Sequence, residues 1–544
     1  MDNNNKDREL FDFEEWDVEK ILQQYREQEE QKQEREIPQQ PVQPVYQPTP
    51  AQRNRPQQVA RSEHSSAPAQ RRNTQRPADR NRRRKKKRVN WKGWAIVIGG
   101  AILLLALLIG VIALIVHAVG GSDEPEKNAV ISTETTEETL SPEERIPDIL
   151  KRADFVAAGY DYDAAITILQ EFGADWKEQP ELSAANDRYL AEKAKLVRYE
   201  DTTQITHIFF HSLIVDTDRA FDGDSKETGY NQYMATVTEF NRILEELYKR
   251  NFVLIRIHDI VKVEKDENGK DVYKQGDIWL PPGKQPIVIS QDDVNYYEYM
   301  VDGDGDRFPD AGGDGFANRI VIGEDGYPTC EYYAADGQKL LGDYDMAPIL
   351  EHFVQEHPDF SYRGARGILA LTGYEGVFGY KTHPQWKDIL GEEAYNEEVR
   401  KAAEVTQCLK DHGWEIACHS YAHFGYGYNS AEDILADVNK WEDQVQPIVG
   451  DTDIFIYPYG SDIAGIEAYE GAKYEAMYQA GYRFFCNVDG STPYWVQIRD
   501  DYVRQGRRNI DGYRMYWGPE LLDDLFDVDE IWDKARPATV PSIV

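Results

Sequence analysis

From residue 206 onward the chain alternates short apolar runs with stretches of helical periodicity. The runs are HIFFHSLI (207–214), FVLIRIHD (252–259), PIVISQDD (286–293), RGILALTG (366–373), WEIACHS (414–420), DIFIYPYG (453–460) and YRFFCNVD (482–489). Six of the seven close on polar or turn residues, and the first has its His-Ser just before a final Leu-Ile. Amphipathic helices are predicted between several of them, for example over 233–249 and 393–411. Repeated β–α units with reactive residues at strand C-termini predict an α/β parallel barrel whose chemistry sits on that face.

The pattern upstream is helical. Three periodic stretches cover 141–158, 161–172 and 181–199, with a capping box at Ser141 and Glu144 and a break at Gly159. LKRADFVAAGYDYDAAITIL resembles one tetratricopeptide unit, with Ala153, Gly159-Tyr160 and Ala164-Ala165 at its contact positions. One copy buries too little to form a solenoid, so 141–204 reads as a helical stalk packed on the domain that follows. Residues 120–140 are a Thr/Glu-rich spacer. The span 94–116, WAIVIGGAILLLALLIGVIALIV, carries no charge. At 1.5 Å per residue it reaches about 34 Å, enough to cross a bilayer core. A transmembrane helix is therefore expected within 93–119.

Charge orients that helix. The net charge is −36, yet residues 51–92 are net +13 and everything beyond residue 92 is net −42. NRRRKKKR flanks one side of the apolar span and GGSDEPEK the other. By the positive-inside rule residues 1–92 are cytoplasmic and 121–544 extracellular, a type II single-pass arrangement at the cell membrane. The basic collar serves topology and anionic-lipid contact, and no nucleic-acid partner is expected. Residues 37–80 are too polar to order themselves. Residues 10–36 read as a short helix, either a docking peptide for a cytoplasmic partner or a solvated charged helix.

Three strand ends carry candidate chemistry. Ser290-Gln291-Asp292-Asp293 places two carboxylates side by side, and His419-Ser420-Tyr421-Ala422-His423 places two imidazoles four apart, on one face of a helical turn. Two neutral imidazoles and one carboxylate suit Zn²⁺ with open positions for water and substrate. A second carboxylate alongside is placed to take a proton from a metal-bound water.

Over about 205–520 these motifs resemble the NodB-homology polysaccharide deacetylases, carbohydrate esterase family four. Ser290 to Asp293 matches the family's T-F-D-D motif, His419 to His423 its H-S-x-x-H motif, and Ile456-Tyr457-Pro458-Tyr459-Gly460 part of its R-x-P-Y-G motif. The resemblance implies a distorted (β/α)7 barrel, here as an ectodomain over 205–535, that hydrolyses N-acetyl groups of a glycan with a divalent metal. It implies Asp292 as general base, Asp293, His419 and His423 as metal ligands, and the Tyr459 backbone N–H as an oxyanion donor. Three departures stand out. Ile456 replaces the arginine that orients the base, Val294 replaces a glycine, and no histidine follows His423 to protonate the leaving amine. That acid is replaced by His211 or His258, or by a late carboxylate such as Asp489, or catalysis is lost. His211 is preferred, because the first strand of a barrel closes against the last.

The long interval between the two motifs implies an insertion near 296–345. Within it Asp302, Asp304, Asp306 and Asp310 resemble a calcium loop, although Arg307 stands at the glycine position and Gly313 at the final acidic one. Its tyrosines, Tyr296, Tyr297, Tyr299, Tyr332 and Tyr333, offer faces for stacking on sugars. The four cysteines, Cys330, Cys408, Cys418 and Cys486, make no disulfide framework, with room for one bridge at most. Two functions fit: a membrane-anchored deacetylase of a cell-envelope polysaccharide (peptidoglycan or exopolysaccharide), or an inactive barrel that binds glycan or scaffolds partners.

Overall fold

The computed structural model describes residues 141–543. The tail, collar, membrane span and spacer expected over 1–140 lie outside the described residues. Among those described, no helix is long and apolar enough to cross a membrane.

Three helices come first, α1 (Pro142–Ala158), α2 (Tyr162–Gln170) and α3 (Pro180–Lys193). The Glu144 carboxylate accepts the Ser141 N–H at 2.9 Å, so α1 opens as its sequence predicts. Their common core is small, built on Ile149, Ala153, Ala165, Leu169, Leu182 and Tyr189. α3 stops short of 199 because Val197 and Arg198 leave it to pair with Leu280 and Trp279. The Tyr160 hydroxyl donates to the Asp359 carbonyl at 2.7 Å, and the Arg363 N–H to the Gly159 carbonyl at 2.8 Å. A Cβ at Gly159 would lie 2.9 Å from the Ser361 carbonyl oxygen, so this helix break tolerates only glycine.

The barrel begins with β1 (Thr206–Phe210), followed by α4 (Glu227–Tyr233), α5 (Val237–Lys249), β2 (Phe252–Leu254) and β3 (Gln285–Gln291). The expected insertion contains an antiparallel meander of β4 (Arg319–Ile322), β5 (Pro328–Tyr333) and β6 (Lys339–Gly342). Then come α6 (Met346–Glu356), β7 (Ile368–Leu371), α7 (Glu392–Asp411), β8 (Glu415–Cys418), α8 (Ala431–Gln444) and β9 (Ile454–Ile456). The last elements used below are β10 (Phe484–Val488), β11 (Trp495–Ile498), β12 (Val503–Asn509) and α9 (Gly512–Trp517).

Seven parallel strands close in chain order: β1, β3, β7, β8, β9, β10 and β12, which returns to β1 through Arg508 opposite Ile208 and Asn509 opposite Phe209. The α/β barrel fold is as expected, with one uneven joint. β7 meets β3 only at Ile368–Ser290 and Leu369–Gln291, while β2 takes the other half of that β3 edge. Alternate residues face opposite ways. Ile289, Leu369, Leu371, Phe455 and Phe485 belong to the outer core with Phe240, Leu350, Leu409 and Trp441. Val288, Ile368, Ala370, Ala417, Ile456 and Cys486 belong to the inner cluster.

Two strand expectations change. The run 252–259 is a three-residue flanking strand followed by a 3₁₀ turn at Ile257–Ile260. The seventh stave is instead β12, VRQGRRN, buried along its whole length. Burying such a strand requires paired charges. Arg504 meets Asp462 at 2.7 Å, Arg507 meets Asp292 at 2.6 Å, and Arg508 meets Asp524 at 2.8 Å. All four cysteines are buried and free, so the single bridge left open by the sequence is absent.

Candidate active site

The carboxylates of Asp292 and Asp293 follow the end of β3, and His419 and His423 follow the end of β8. The helical turn expected for 419–423 does not form, because Ser420 and His423 adopt positive φ, 59° and 52°. The loop is held from α8 by the buried Asp437, which accepts N–H bonds from Tyr421 at 2.8 Å and Ala422 at 2.9 Å. The imidazoles still converge, with ring centroids 5.0 Å apart. Asp293 and Tyr459 also have positive φ, 59° and 57°. Left-handed backbone at bulky residues costs about 1–3 kcal/mol each, and such strain gathers where side chains must be aimed.

Each imidazole is held by one nitrogen. His419 Nδ1–H donates to the Ile456 carbonyl at 2.8 Å, and His423 Nδ1 lies 3.0 Å from the Tyr459 hydroxyl. That leaves each Nε2 as the ligating atom. His423 Nε2 is 3.6 Å from Asp293 Oδ2, near the roughly 3.4 Å expected between two ligands of a tetrahedral Zn²⁺ site. Ligand atoms of Asp293, His419 and His423 all lie within 4.8 Å of one another. Burial lowers the His423 pKa to about 4 against the opposing pull of Asp293, so the ring is neutral, as a ligand must be. Burial pushes the Asp293 carboxyl up, but His423, His419 and His211, with the Tyr297 hydroxyl donating at 2.6 Å, hold it below its usual range. The three residues fit a divalent metal.

The neighbouring carboxylate has a different partner. Arg507 of β12 grips Asp292 with two parallel bonds, Nη1 to Oδ1 at 2.6 Å and Nη2 to Oδ2 at 2.9 Å. Burial would raise the Asp292 pKa; the Arg507 charge, then His419, outweigh it and hold the group at about 2. Beneath the pair a polar chain runs through the barrel. Arg507 Nη1 donates to Ser290 Oγ at 3.1 Å, Ser290 Oγ lies 2.9 Å from His207 Nε2, and His207 Nδ1 lies 3.0 Å from Gln505 Oε1. Arg507 and Asp437 were not singled out by sequence reasoning, and Tyr297, expected to offer a face to sugar, instead bonds Asp293. The one available signal was a paired arginine late in a strongly acidic region.

Of the three substitutes for the missing late histidine, His211 alone reaches the site. It lines the same pocket as Asp292, Asp293, His419, His423 and Tyr459, and its Nδ1–H donates to the Tyr233 carbonyl at 3.1 Å. His258 sits at the opposite barrel mouth, 2.9 Å from Asp453 and bonded to Glu415, where β8 and β9 begin. Asp489 follows β10, but its carboxylate accepts the Ser491 N–H at 3.0 Å and does not line the pocket. Phe209, Tyr230, Tyr233, Met234, Tyr299 and Val488 wall the pocket. Of the five insertion tyrosines, only Tyr299 lines it. Tyr297 bonds Asp293, Tyr296 donates to the buried Asp345 at 2.7 Å, and Tyr332 and Tyr333 belong to β5. In the acidic loop, Asp302, Asp304 and Asp306 lie together, and each accepts nearby backbone N–H groups.

No curated protein matches the chain. Among solved structures, the Streptococcus pyogenes deacetylase PplD in complex with acetate is similar at 12% identity, covering 61% of this chain and 98% of that one, with a TM-score of 0.31. A family model described as polysaccharide deacetylase matches residues 390–485, a stretch that contains His419, His423 and Tyr459 but neither Asp292 nor Arg507. Residues 390–485 are thus similar to the polysaccharide deacetylase model, and they contain two of the three side chains fit to ligate a metal.

Proposed function

We propose that this protein is a metal-dependent hydrolase that removes N-acetyl groups from a cell-envelope polysaccharide, peptidoglycan or an exopolysaccharide. The observation that carries the reading is the meeting of Asp292, Asp293, His211, His419 and His423 in one pocket, with the buried Arg507 gripping Asp292. A divalent cation, Zn²⁺ by the chemistry of its donors, would polarise the acetamide carbonyl and acidify a water.

The remaining work falls to the chain. Asp292, ionised and aimed by two Arg507 bonds, accepts the proton of the attacking water. The Tyr459 backbone N–H, on the tight turn after β9, serves the developing oxyanion. His211, fixed through Nδ1, presents Nε2 to the leaving amine and protonates it. Tyr230, Tyr233 and Tyr299 supply faces for the sugar. The rival reading, an inactive glycan-binding barrel, rested on Ile456 and on the missing late histidine. Support for activity comes from Arg507, which reaches Asp292 from β12, and from His211, which enters from β1.

The test is metal analysis of the purified 120–544 region, followed by assay of acetate release from N-acetylglucosamine polymers and peptidoglycan. Bound metal with acetate release supports the reading; bound metal with no release on any envelope glycan supports the rival. We further propose that 94–116 anchors the chain with its barrel outside the cell. Resistance of the full chain to alkaline extraction, lost when residues 1–120 are removed, would bear this out.

A further inference from the structure

The wall of the pocket nearest His211 is α4 and the residue after it; Gly229, Tyr230, Tyr233 and Met234 all line the cavity. His211 is bonded to this wall, its Nδ1–H donating to the Tyr233 carbonyl at 3.1 Å. α4 is short, so its place is set by what backs it. Residues 533–541 do so. Arg536 Nη1 donates to the Asn231 carbonyl at 3.2 Å and to Asn231 Oδ1 at 3.1 Å, and Nη2 donates to the Met234 carbonyl. These acceptors bracket Tyr233 on both sides. The same guanidinium grips Glu239 of α5, Nε to Oε1 at 2.7 Å and Nη2 to Oε2 at 2.8 Å, with both side chains fully buried.

Further along, Asn231 Nδ2 donates to the Thr539 carbonyl at 3.0 Å, and Gln232 Nε2 to the Pro541 carbonyl at 2.9 Å. Trp517 Nε1 of α9 donates to the Val540 carbonyl at 3.1 Å. A Cβ at Gly512 would come within 2.0 Å of the Asn231 carbonyl oxygen and 2.7 Å of Arg536 Nη1, so α9 begins with a glycine where the three segments meet. Asp533 adds bonds to the start of α5, accepting from the Thr236 hydroxyl at 3.0 Å and donating its N–H to Glu239 at 3.0 Å, so the segment ties α4 to α5 and α9.

We propose that residues 533–541 are a strap that sets the position of the α4 wall, and that Arg536 is a positioning residue for His211. This rests on His211 being the acid of the proposed deacetylation. The role is specific. Misplacing an acid by about 1 Å costs up to about a hundredfold where its proton is needed, and nothing where the leaving group departs as a stable anion. An acetamide needs that proton; 4-nitrophenyl acetate, which releases a phenolate, does not.

The experiment therefore compares kcat for acetate release from an N-acetylglucosamine oligomer with kcat for 4-nitrophenyl acetate in the metal-loaded full chain. Three strap variants are measured: Arg536→Lys, the double variant Arg536→Met/Glu239→Gln, and a chain ending at Ala538. The double variant removes both buried charges together, and the truncation leaves the Arg536–Glu239 pair intact. The folded variants are expected to lose about tenfold in the amide-to-ester ratio with little change in KM, in the order double variant, truncation, lysine. His211→Ala fixes the ratio that complete loss of the acid produces. Equal loss of both activities in the strap variants, or an unchanged ratio, overturns the strap. If His211→Ala itself leaves the ratio unchanged, the acid assignment falls and takes this proposal with it; a low ratio there with normal strap variants overturns the strap alone.

Discussion

Replacing Arg507 is the most informative single perturbation of this molecule. Its guanidinium and the Asp292 carboxylate are both almost completely buried, and they share two bonds of 2.6 and 2.9 Å. Arg507→Ala leaves that carboxylate charged, dry and alone. Removing one partner of a buried pair costs about 3–5 kcal/mol. An independent measure comes from linkage: holding Asp292 at about 2 instead of its ordinary value near 3.9 corresponds to about 2–3 kcal/mol of native stability. The two agree on a loss of about 3 kcal/mol at pH 7.

The sign with pH is also set. The depressed group contributes fully above about pH 4, and its contribution fades as pH falls towards 2. In the variant, burial without Arg507 raises the Asp292 pKa, so its penalty is relieved by protonation as pH falls. Both trends shrink the gap between wild type and variant in acid. Urea unfolding of both at pH 7 and pH 4 measures it. Arg507→Lys keeps a charge but loses the two-pronged bond, so it is expected to recover most of the stability and little of the activity, with acetate release down more than about tenfold. A fully stable Arg507→Ala, or a fully active Arg507→Lys, would refute the reasoning.

The other predictions concern the triad, its support and the far mouth of the barrel. Asp293→Ala and His423→Ala are each expected to abolish stoichiometric metal in elemental analysis while leaving circular dichroism unchanged. Asp437→Ala frees the N–H groups of Tyr421 and Ala422, and is expected to weaken metal binding by about 10–100-fold in chelator competition. Burial pulls the His258 pKa down, but Asp453 and Glu415 overcome it and raise it to about 10. Its contribution is therefore complete below about pH 6.5 and disappears as pH rises through 10. With the side chain 43% exposed, that contribution is at most about 1 kcal/mol. The stability gap for His258→Ala should close at pH 10.5, with acetate release at pH 7 within about twofold of wild type.

Apolar runs made six of the barrel's seven strands legible, because a strand covered by helices on one side and barrel core on the other must be apolar on both. Motif spacing likewise singled out Asp292, Asp293, His419 and His423, since each follows a strand that its own pattern reveals, while Tyr459 came from the family resemblance alone. The local geometry of 419–423 was not legible. A four-residue spacing suits a helical turn, but Asp437 on α8 imposes a left-handed loop from outside the motif.

The amino-acid order by itself determined the β–α alternation, the acidic character of everything beyond residue 92 and the positions of the residues fit to bind metal. Tertiary structure alone decided which strand closes the barrel and which arginine meets the base. VRQGRRN reads as solvent-facing, because a buried arginine costs several kcal/mol unless it is paired. Its partners Asp292, Asp462 and Asp524 stand in separate parts of the chain. Closure of the ring brings Asp292 within 3 Å of Arg507, and the packing of the loops after β9 and α9 supplies the other two partners. The same closure brings His211, on the first strand, to the rim beside the last one.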